Sequence, residues 1–412
     1  MHKKFTYPDY NNSIANIPTA IFSHFNPHNK KSKIFLPLLK RINGSSKVVL
    51  FLLDGFGYNL LEKQTDKNNF LKKIKQRGLV DKITTVFPTS TAAAITSLNS
   101  GLTPKEHGLL EWNMYFQELD LIIETLPYKI IPTEFQPVQP LPEIPQLLFN
   151  GVTIYEELAR NNISSFFFVP DEYSLGIYNR AMSKGASIIP YSSLLDIFKK
   201  LRLLLQKTKN KSYYYVYWPN IDIAEHEYGP NAKEVDTEIE LFSTTIEREL
   251  ISKLDYQLKL NTAILITGDH GLISVDPKKT IYLNKYPLII NCFKKGPSGR
   301  PILPSGGARD IFLNIEENKL DEAEVYLKNI IGDIAEIIRI NDQTITSLFG
   351  YGRRHAQFIN RLGNMLILPK ENHTIWYEYT KGRKFNCLGH HGGLSSDEVL
   401  IPLITALVHH LV

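Results

Sequence analysis

Two apolar runs, KVVLFLL at Lys47–Leu53 and TAILIT at Thr262–Thr267, constrain the fold of this chain more than any other feature. Each is apolar on both alternating faces. A strand reads this way when helices cover both sides of a parallel sheet. Each run stops at an acid among glycines: Asp54-Gly55-Phe56-Gly57 after the first, Gly268-Asp269-His270-Gly271 after the second. In open α/β sheets the carboxyl ends of the strands are where sites are built. Taken alone, either aspartate also suits the cap of a following helix.

Between the two runs, residues 84–108 read TTVFPTSTAAAITSLNSGLTPKEHG. The pattern predicts a strand over 83–87, a break at Pro88, three hydroxyls (Thr89, Ser90, Thr91), and a helix that Gly101 ends. A hydroxyl in the first turn of a helix faces unpaired N–H groups and the positive end of the helix dipole, a good place for a phosphate. The alternative reading is a plain N-cap. Three alanines let this helix pack closely and leave room above the hydroxyl.

The bulk properties narrow the class. With 412 residues, 43% hydrophobic and 22% charged, the chain can bury a large core in one or two domains. A net charge of +5 suits an anionic small molecule and is too modest to argue for a nucleic-acid polymer. Cys292 and Cys387 form neither a disulfide framework nor a CxxC pair. The first residues lack an apolar signal core and no apolar run is long enough to span a bilayer, so the expectation is a cytoplasmic protein without a membrane partner.

Along the chain, residues 1–45 read as a polar lead-in with a helix over 34–42, followed after the first strand by a helix over 58–77. Pro127, Pro132, Pro137, Pro140, Pro142 and Pro145 make 127–145 an irregular excursion over the active end of the sheet. Regular order returns with a helix over 152–161, strands over 164–169 and 213–217, and helices over 193–207 and 233–258. The strand over 213–217 delivers WPNIDIAEHEYGP, where Asp222 and His226 stand four apart and share one helix face. From 299 to 385 shorter strands alternate with helices, which reads as a small inserted α+β subdomain. The core then comprises 1–298 and 386–412, closing with GHHGG and an apolar helix over 399–411.

Asp54, Thr91, Asp222, His226, Asp269, His270 and His391 all fall at the ends of core strands or on the turns that follow. Each alone has an ordinary structural use. Together they place carboxylates, imidazoles and a hydroxyl at one edge of one sheet. Imidazole with carboxylate is the ligand set of borderline divalent metals such as zinc. Carboxylates gathered in one cleft repel each other, and cations remove that repulsion. Two metal ions also clamp the attacking and leaving oxygens of an in-line phosphoryl transfer.

The order DGFG, TTVFPTSTAAAITSLNSGLTPKEHGL, DIAEHEYGP, TGDHG, HHGG resembles the alkaline phosphatase superfamily, and within it the nucleotide pyrophosphatase/phosphodiesterase family, including its bacterial members. The likeness runs from about residue 47 to 402. It implies an alkaline-phosphatase-like α/β sandwich, with a central mostly parallel sheet flanked by helices and a small inserted α+β cap. It implies two divalent ions, zinc or else manganese. Asp54, Asp269, His270 and Thr91 would hold one, and Asp222, His226 and His391 the other. Thr91 would be the nucleophile, preferred to Ser90 and Thr89 by its spacing to Gly101, and would form a covalent phosphothreonine. His391 is preferred to His390 because it starts the HGG turn. Animal diesterases of the family hold phosphate with an Asn two residues before a Met-Tyr pair. Here that place is Trp112, with Asn113 beside it, so Trp112, Asn113 and Arg309 of GGARD are the candidate substrate contacts.

The activity implied is hydrolysis of a phosphodiester or pyrophosphate bond in a nucleotide-like small molecule. A phosphomonoesterase or phosphomutase of the same superfamily is the close alternative, and an inactive binding or scaffold protein is the alternative from another class.

Overall fold

In the computed structural model, which describes residues 5–26, 41–136 and 140–412, every residue of strand β1 (Lys47–Leu53) is buried. Its side chains alternate between two apolar cores. Val48, Leu50 and Leu52 join one core with Tyr213, Tyr215 and Leu265. Val49, Phe51 and Leu53 join the other with Tyr214, Val216 and Ile266. A strand buried on both faces belongs at the centre of a sheet with helices on each side. That is where β1 lies.

The sheet also contains β2 (Leu79–Thr84), β3 (Ser164–Pro170), β4 (Ser187–Tyr191), β5 (Ser212–Trp218), β6 (Thr262–Thr267) and β7 (Leu400–Leu407). Their spatial order is β2-β7-β6-β1-β5-β3-β4. β1 pairs in parallel with β5 and β6, in a register that sets Leu53 opposite Trp218 and Leu52 opposite Thr267. Three chain segments therefore leave the sheet at one level, and the loops carrying Asp54, Asp222 and Asp269 start side by side.

Several expected elements are corrected. Residues 399–411 form no continuous helix: β7 runs antiparallel between β2 and β6, and only a short 3-10 helix follows at Val408–Leu411. A short Leu/Ile run does not distinguish a buried helix from a buried strand, and the open edges of β2 and β6 decide it. The helix expected over 58–77 is two, Tyr58–Thr65 and Asn69–Arg77, because Asn68 caps the second by accepting from the Leu71 N–H. The helix over 233–258 is regular over Lys233–Thr245, passes into a π-helical turn at Ile246–Ile251, and restarts at Tyr256–Asn261. The proline-rich excursion is partly ordered: Lys129–Ile130 adds to a small sheet with Asn113–Phe116 and Leu121–Glu124. Apart from residues 41–42, the helix expected over 34–42 lies outside the described residues.

Within 299–385 the strands Ser305–Gly306, Ile311–Leu313, Met365–Pro369 and Ala335–Arg339 make a separate antiparallel sheet, with helices at Leu320–Ile331 and Asp342–Phe349. Its apolar core, around Leu313, Leu327 and Ile367, also takes in Leu283, Ile289 and Phe293, which precede residue 299. No helix among the described residues is long and apolar enough to cross a membrane.

Candidate metal and phosphoryl site

The chain turns sharply after β1. Gly55 adopts a left-handed φ of 78°, and a Cβ there would lie 2.7 Å from Glu225 Oε2 and 3.0 Å from the Asp222 Cα. Only glycine relieves both constraints. The close approach lets the Asp222 N–H donate to the Asp54 carbonyl at 3.1 Å, tying the end of β1 to the helix at Asn220–Tyr228. That helix turns Asp222 and His226 the same way, with His226 Nε2 3.4 Å from Asp222 Oδ1.

The three consecutive hydroxyls have separate uses. Thr89 donates to the Gly393 carbonyl and accepts from the Gly392 N–H, both at 2.9 Å. Ser90 is the N-cap of the helix Thr91–Ser100, accepting from the Ala93 N–H and donating to the Leu110 carbonyl. Among the described residues Thr91 alone of the three has no backbone partner for its hydroxyl, and its Oγ1 lies 3.2 Å from His270 Nε2.

Around Thr91 the polar side chains pair one atom with protein and leave another free. Asp54 accepts from the Tyr217 hydroxyl on Oδ2, and its Oδ1 has no hydrogen-bond partner among the described residues. Asp269 accepts from the Gly55 and His270 N–H groups on Oδ1, and among the described residues its Oδ2 has no hydrogen-bond partner. His270 Nε2 lies 3.6 Å from the free oxygen of Asp54 and 3.5 Å from that of Asp269. His226 and His391 donate Nδ1–H to the carbonyls of Gly389 and Thr89, at 2.8 and 2.9 Å. In a neutral ring this leaves the Nε2 lone pair open. His391 Nε2 lies 3.9 Å from Asp222 Oδ1, another buried oxygen with no partner.

Buried polar atoms are normally paired, so a converging set of orphan lone pairs calls for a cation. The donor atoms of Asp54, Asp269 and His270 lie within 4.8 Å of one another, as do those of Asp222, His270 and His391. Without a cation the site is electrostatically strained. Burial, and then the neighbouring Asp269 and Asp222, hold the Asp54 carboxyl well above its usual range. Burial also raises Asp269 to about 6 and lowers His270 to about 4. The donor set fits divalent metal, and oxygen with imidazole nitrogen suits zinc.

A cavity of about 480 Å³ is lined by Thr91, Asp222, His226 and His391 of this cluster, and also by Trp112 and Tyr379. Trp112 is 42% exposed there, whereas Asn113 is buried and donates to the Gly306 carbonyl at 3.3 Å. Arg309 is a correction. Its guanidinium is 1% exposed, bonded at Nε and Nη2 to both oxygens of Glu398 and at Nη1 to the His373 carbonyl. It braces the loop that carries His391 and contacts no open space. Sequence reading missed Tyr217, hidden in the aromatic-rich strand SYYYVYW, and Glu111, a buried acid of the cavity wall that burial raises to about 7. A lone acid within the apolar LLEW was the available signal for Glu111.

A family model for type I phosphodiesterase / nucleotide pyrophosphatase matches residues 48–394. The chain belongs to this family. Human ectonucleotide pyrophosphatase/phosphodiesterase family member 1 is 26% identical over 243 residues, covering 58% of this chain and 25% of its own length. Venom phosphodiesterase CdcPDE of Crotalus durissus collilineatus is 23% identical over 259 residues, covering 62% and 30%. The aligned stretch thus spans less than a third of these relatives. Among solved structures, human ectonucleotide pyrophosphatase/phosphodiesterase 5 superposes with a TM-score of 0.66 over 87% of each chain at 18% identity. An inactive threonine-to-alanine variant of the murine protein, in complex with AMP, superposes with a TM-score of 0.62 at 17% identity, again over 87% of each chain. These neighbours share the alkaline-phosphatase-like fold with this type I phosphodiesterase family member.

Proposed function

We propose that this chain is a metal-dependent hydrolase of phosphodiester or pyrophosphate bonds in nucleotide-like substrates, acting through a phosphothreonine at Thr91. The observation that carries the reading is the convergence of unpaired Asp54, Asp222 and Asp269 oxygens and histidine lone pairs around a hydroxyl with no backbone partner. Asp54, Asp269, His270 and Thr91 would hold one divalent ion, and Asp222, His226 and His391 a second. When bound, the ions, zinc by the donor set, supply Lewis acidity and offset the charge of the buried carboxylates.

The chain's own residues do the rest. Thr91 opens the helix Thr91–Ser100, whose first N–H groups and dipole face the same side as its hydroxyl and favour a phosphoryl group there. Ser90 caps that helix and fixes the backbone at Thr91, whose Oγ1 lies 3.2 Å from His270 Nε2. The Thr91 oxygen bonds to phosphorus as the ester P–O bond breaks, the hydroxyl proton ending on the leaving oxygen; water then cleaves the phosphothreonine P–O bond, its OH staying on phosphorus and its proton returning the hydroxyl. The exposed face of Trp112 gives a planar group of the substrate a surface to stack on. The AMP complex of a structural neighbour supports a nucleotide-like ligand.

The test is to load the purified protein with zinc, count metal per chain, and compare an aryl phosphodiester with the matching monoester. Two ions and preference for the diester are expected. Preference for the monoester moves the chain to the phosphatase or mutase class. No bound metal and no turnover of either ester overturns the hydrolase reading in favour of a scaffold.

A further inference from the structure

The cavity lined by Thr91 is also lined by the end of the inserted segment, with Tyr379, Thr380, Arg383, Lys384 and Phe385 among its residues. Residues 377–387 form neither helix nor strand, but they are tied down on both sides of Arg383. Thr380 donates its hydroxyl to the Pro132 carbonyl at 2.6 Å, and the Phe385 N–H donates to the Tyr282 hydroxyl at 3.2 Å. The Phe385 ring centroid lies 5.2 Å from that of His390, which lies 5.3 Å from that of His391. A short chain of rings thus connects the Arg383 loop to the candidate metal cluster.

Among the described residues that line the cavity, Arg383 and Lys384 are the two whose side chains carry a fixed positive charge. They are used differently. Lys384 Nζ pairs with the Glu378 carboxylate and sits 4.6 Å from the centroid of the Tyr282 ring. Glu378 also accepts from the Gly382 N–H at 2.5 Å, closing the turn just before Arg383. Arg383 uses only its backbone N–H, which donates to the Thr380 carbonyl at 3.0 Å. The residue is exposed, and its guanidinium has no hydrogen bond, ion pair or ring contact among the described residues.

We propose that Arg383 is a specificity-determining residue that binds a second phosphate of the substrate, next to the one Thr91 attacks, so that the site takes nucleotides with a pyrophosphate link. This rests on the hydrolase reading above and narrows it. A simple phosphodiester brings one negative charge, which divalent ions at the cluster offset. A neighbouring phosphate brings another. The carboxylate oxygens and imidazole lone pairs of the cluster are acceptors, and so are phosphate oxygens, so the cluster's own side chains cannot hold it. A guanidinium presents paired N–H donors in a plane that matches two phosphate oxygens, and it keeps its charge at any working pH. Lys384 is already engaged by Glu378, whereas Arg383 breaks no ion pair when an anion enters the cavity.

The experiment uses zinc-loaded wild type, Arg383→Met and Arg383→Lys. Metal per chain is counted. kcat and KM are measured on a dinucleoside pyrophosphate and on the aryl ester of the same nucleoside monophosphate, which presents one phosphate only. Ki is measured for a non-hydrolysable, methylene-bridged analogue of the pyrophosphate. Arg383 has no side-chain partner to lose, so both variants should fold and keep the wild-type metal count. In Arg383→Met the ratio of kcat/KM for the pyrophosphate over the aryl ester should fall about tenfold or more, chiefly through KM. The analogue should bind more weakly by about the same factor, and Arg383→Lys should recover part of both. An unchanged ratio overturns the proposal. An equal loss on both substrates also overturns it, because Arg383 then serves the attacked phosphate. A wild type that cleaves the aryl ester but not the pyrophosphate overturns it too, and in all three cases the hydrolase reading stands. A lower metal count in the variants overturns it as well, giving Arg383 a role in holding the metal cluster. A wild type that takes up no zinc and cleaves neither substrate overturns both.

Discussion

Tyr217 donates its hydroxyl to Asp54 Oδ2 at 2.5 Å, and the other oxygen of that carboxylate is left without a partner inside the candidate metal site. Such a bond fixes the direction in which a ligand oxygen points, and its loss weakens metal binding about ten- to a hundredfold. Tyr217→Phe keeps the ring and removes only the donor. It should fold normally and bind zinc more weakly by about that factor, read by competition with a chromophoric chelator. Wild-type affinity in this variant would show that the hydroxyl does not orient Asp54.

Thr91→Ala tests the nucleophile. Turnover of an aryl phosphodiester should fall by on the order of a thousandfold or more, with metal content nearly unchanged. Thr89 and Ser90 are committed to the Gly392–Gly393 turn and the helix cap, so neither replaces it. Retained turnover rules Thr91 out. His391→Ala should instead lower occupancy of one metal, and unchanged stoichiometry refutes that assignment.

The pH dependence of metal stabilisation has a definite sign. Burial raises Asp269 to about 6 in the metal-free protein. A carboxyl raised on folding stabilises the metal-free fold below its unfolded value and loses that contribution as pH rises through about 6. Metal binding needs the carboxylate, so zinc and protons compete at this residue. Adding zinc to chelator-treated protein should raise the melting temperature more at about pH 7.5 than at about pH 5. An equal rise at both pH values refutes Asp269 as a ligand.

Arg309 and Glu398 form a buried pair with two guanidinium–carboxylate bonds of 3.1 Å. Burial pushes the Glu398 carboxyl up, but Arg309, Ser395 and the Gly393 N–H outweigh it and hold the group below its ordinary value. A depressed carboxyl stabilises above its unfolded value and loses that contribution as pH falls through the folded one. Arg309→Met strands the charge and should cost about 3–5 kcal/mol in urea unfolding. A loss under about 1 kcal/mol would mean the pair is solvated like a surface bridge.

Much of the candidate site was legible in the sequence because it depends on local pattern. Acids and glycines ending apolar runs, and an Asp and His four apart on a helix, need only the strand period and the helical repeat to place them. The class of sheet followed from β1 and β6, whose residues are apolar on both faces. The sequence could not decide what depends on long-range pairing. β7 is a strand because β2 and β6 stand unpaired on either side of it. Arg309 left the list of substrate contacts because Glu398, far along the chain, takes both ends of its guanidinium. Thr91 stands apart from Thr89 and Ser90 only because folding brings Gly393 and Leu110 to those two hydroxyls. The two neighbouring histidines look alike in GHHGG, and folding pairs opposite ends of them: the Thr89 carbonyl takes Nδ1 of His391, and the Ala308 N–H takes Nε2 of His390. Residue type and spacing determined which groups could do chemistry. Tertiary hydrogen bonding decided which atoms of those groups remain free to do it, because a buried polar atom is available only when the fold has not already paired it.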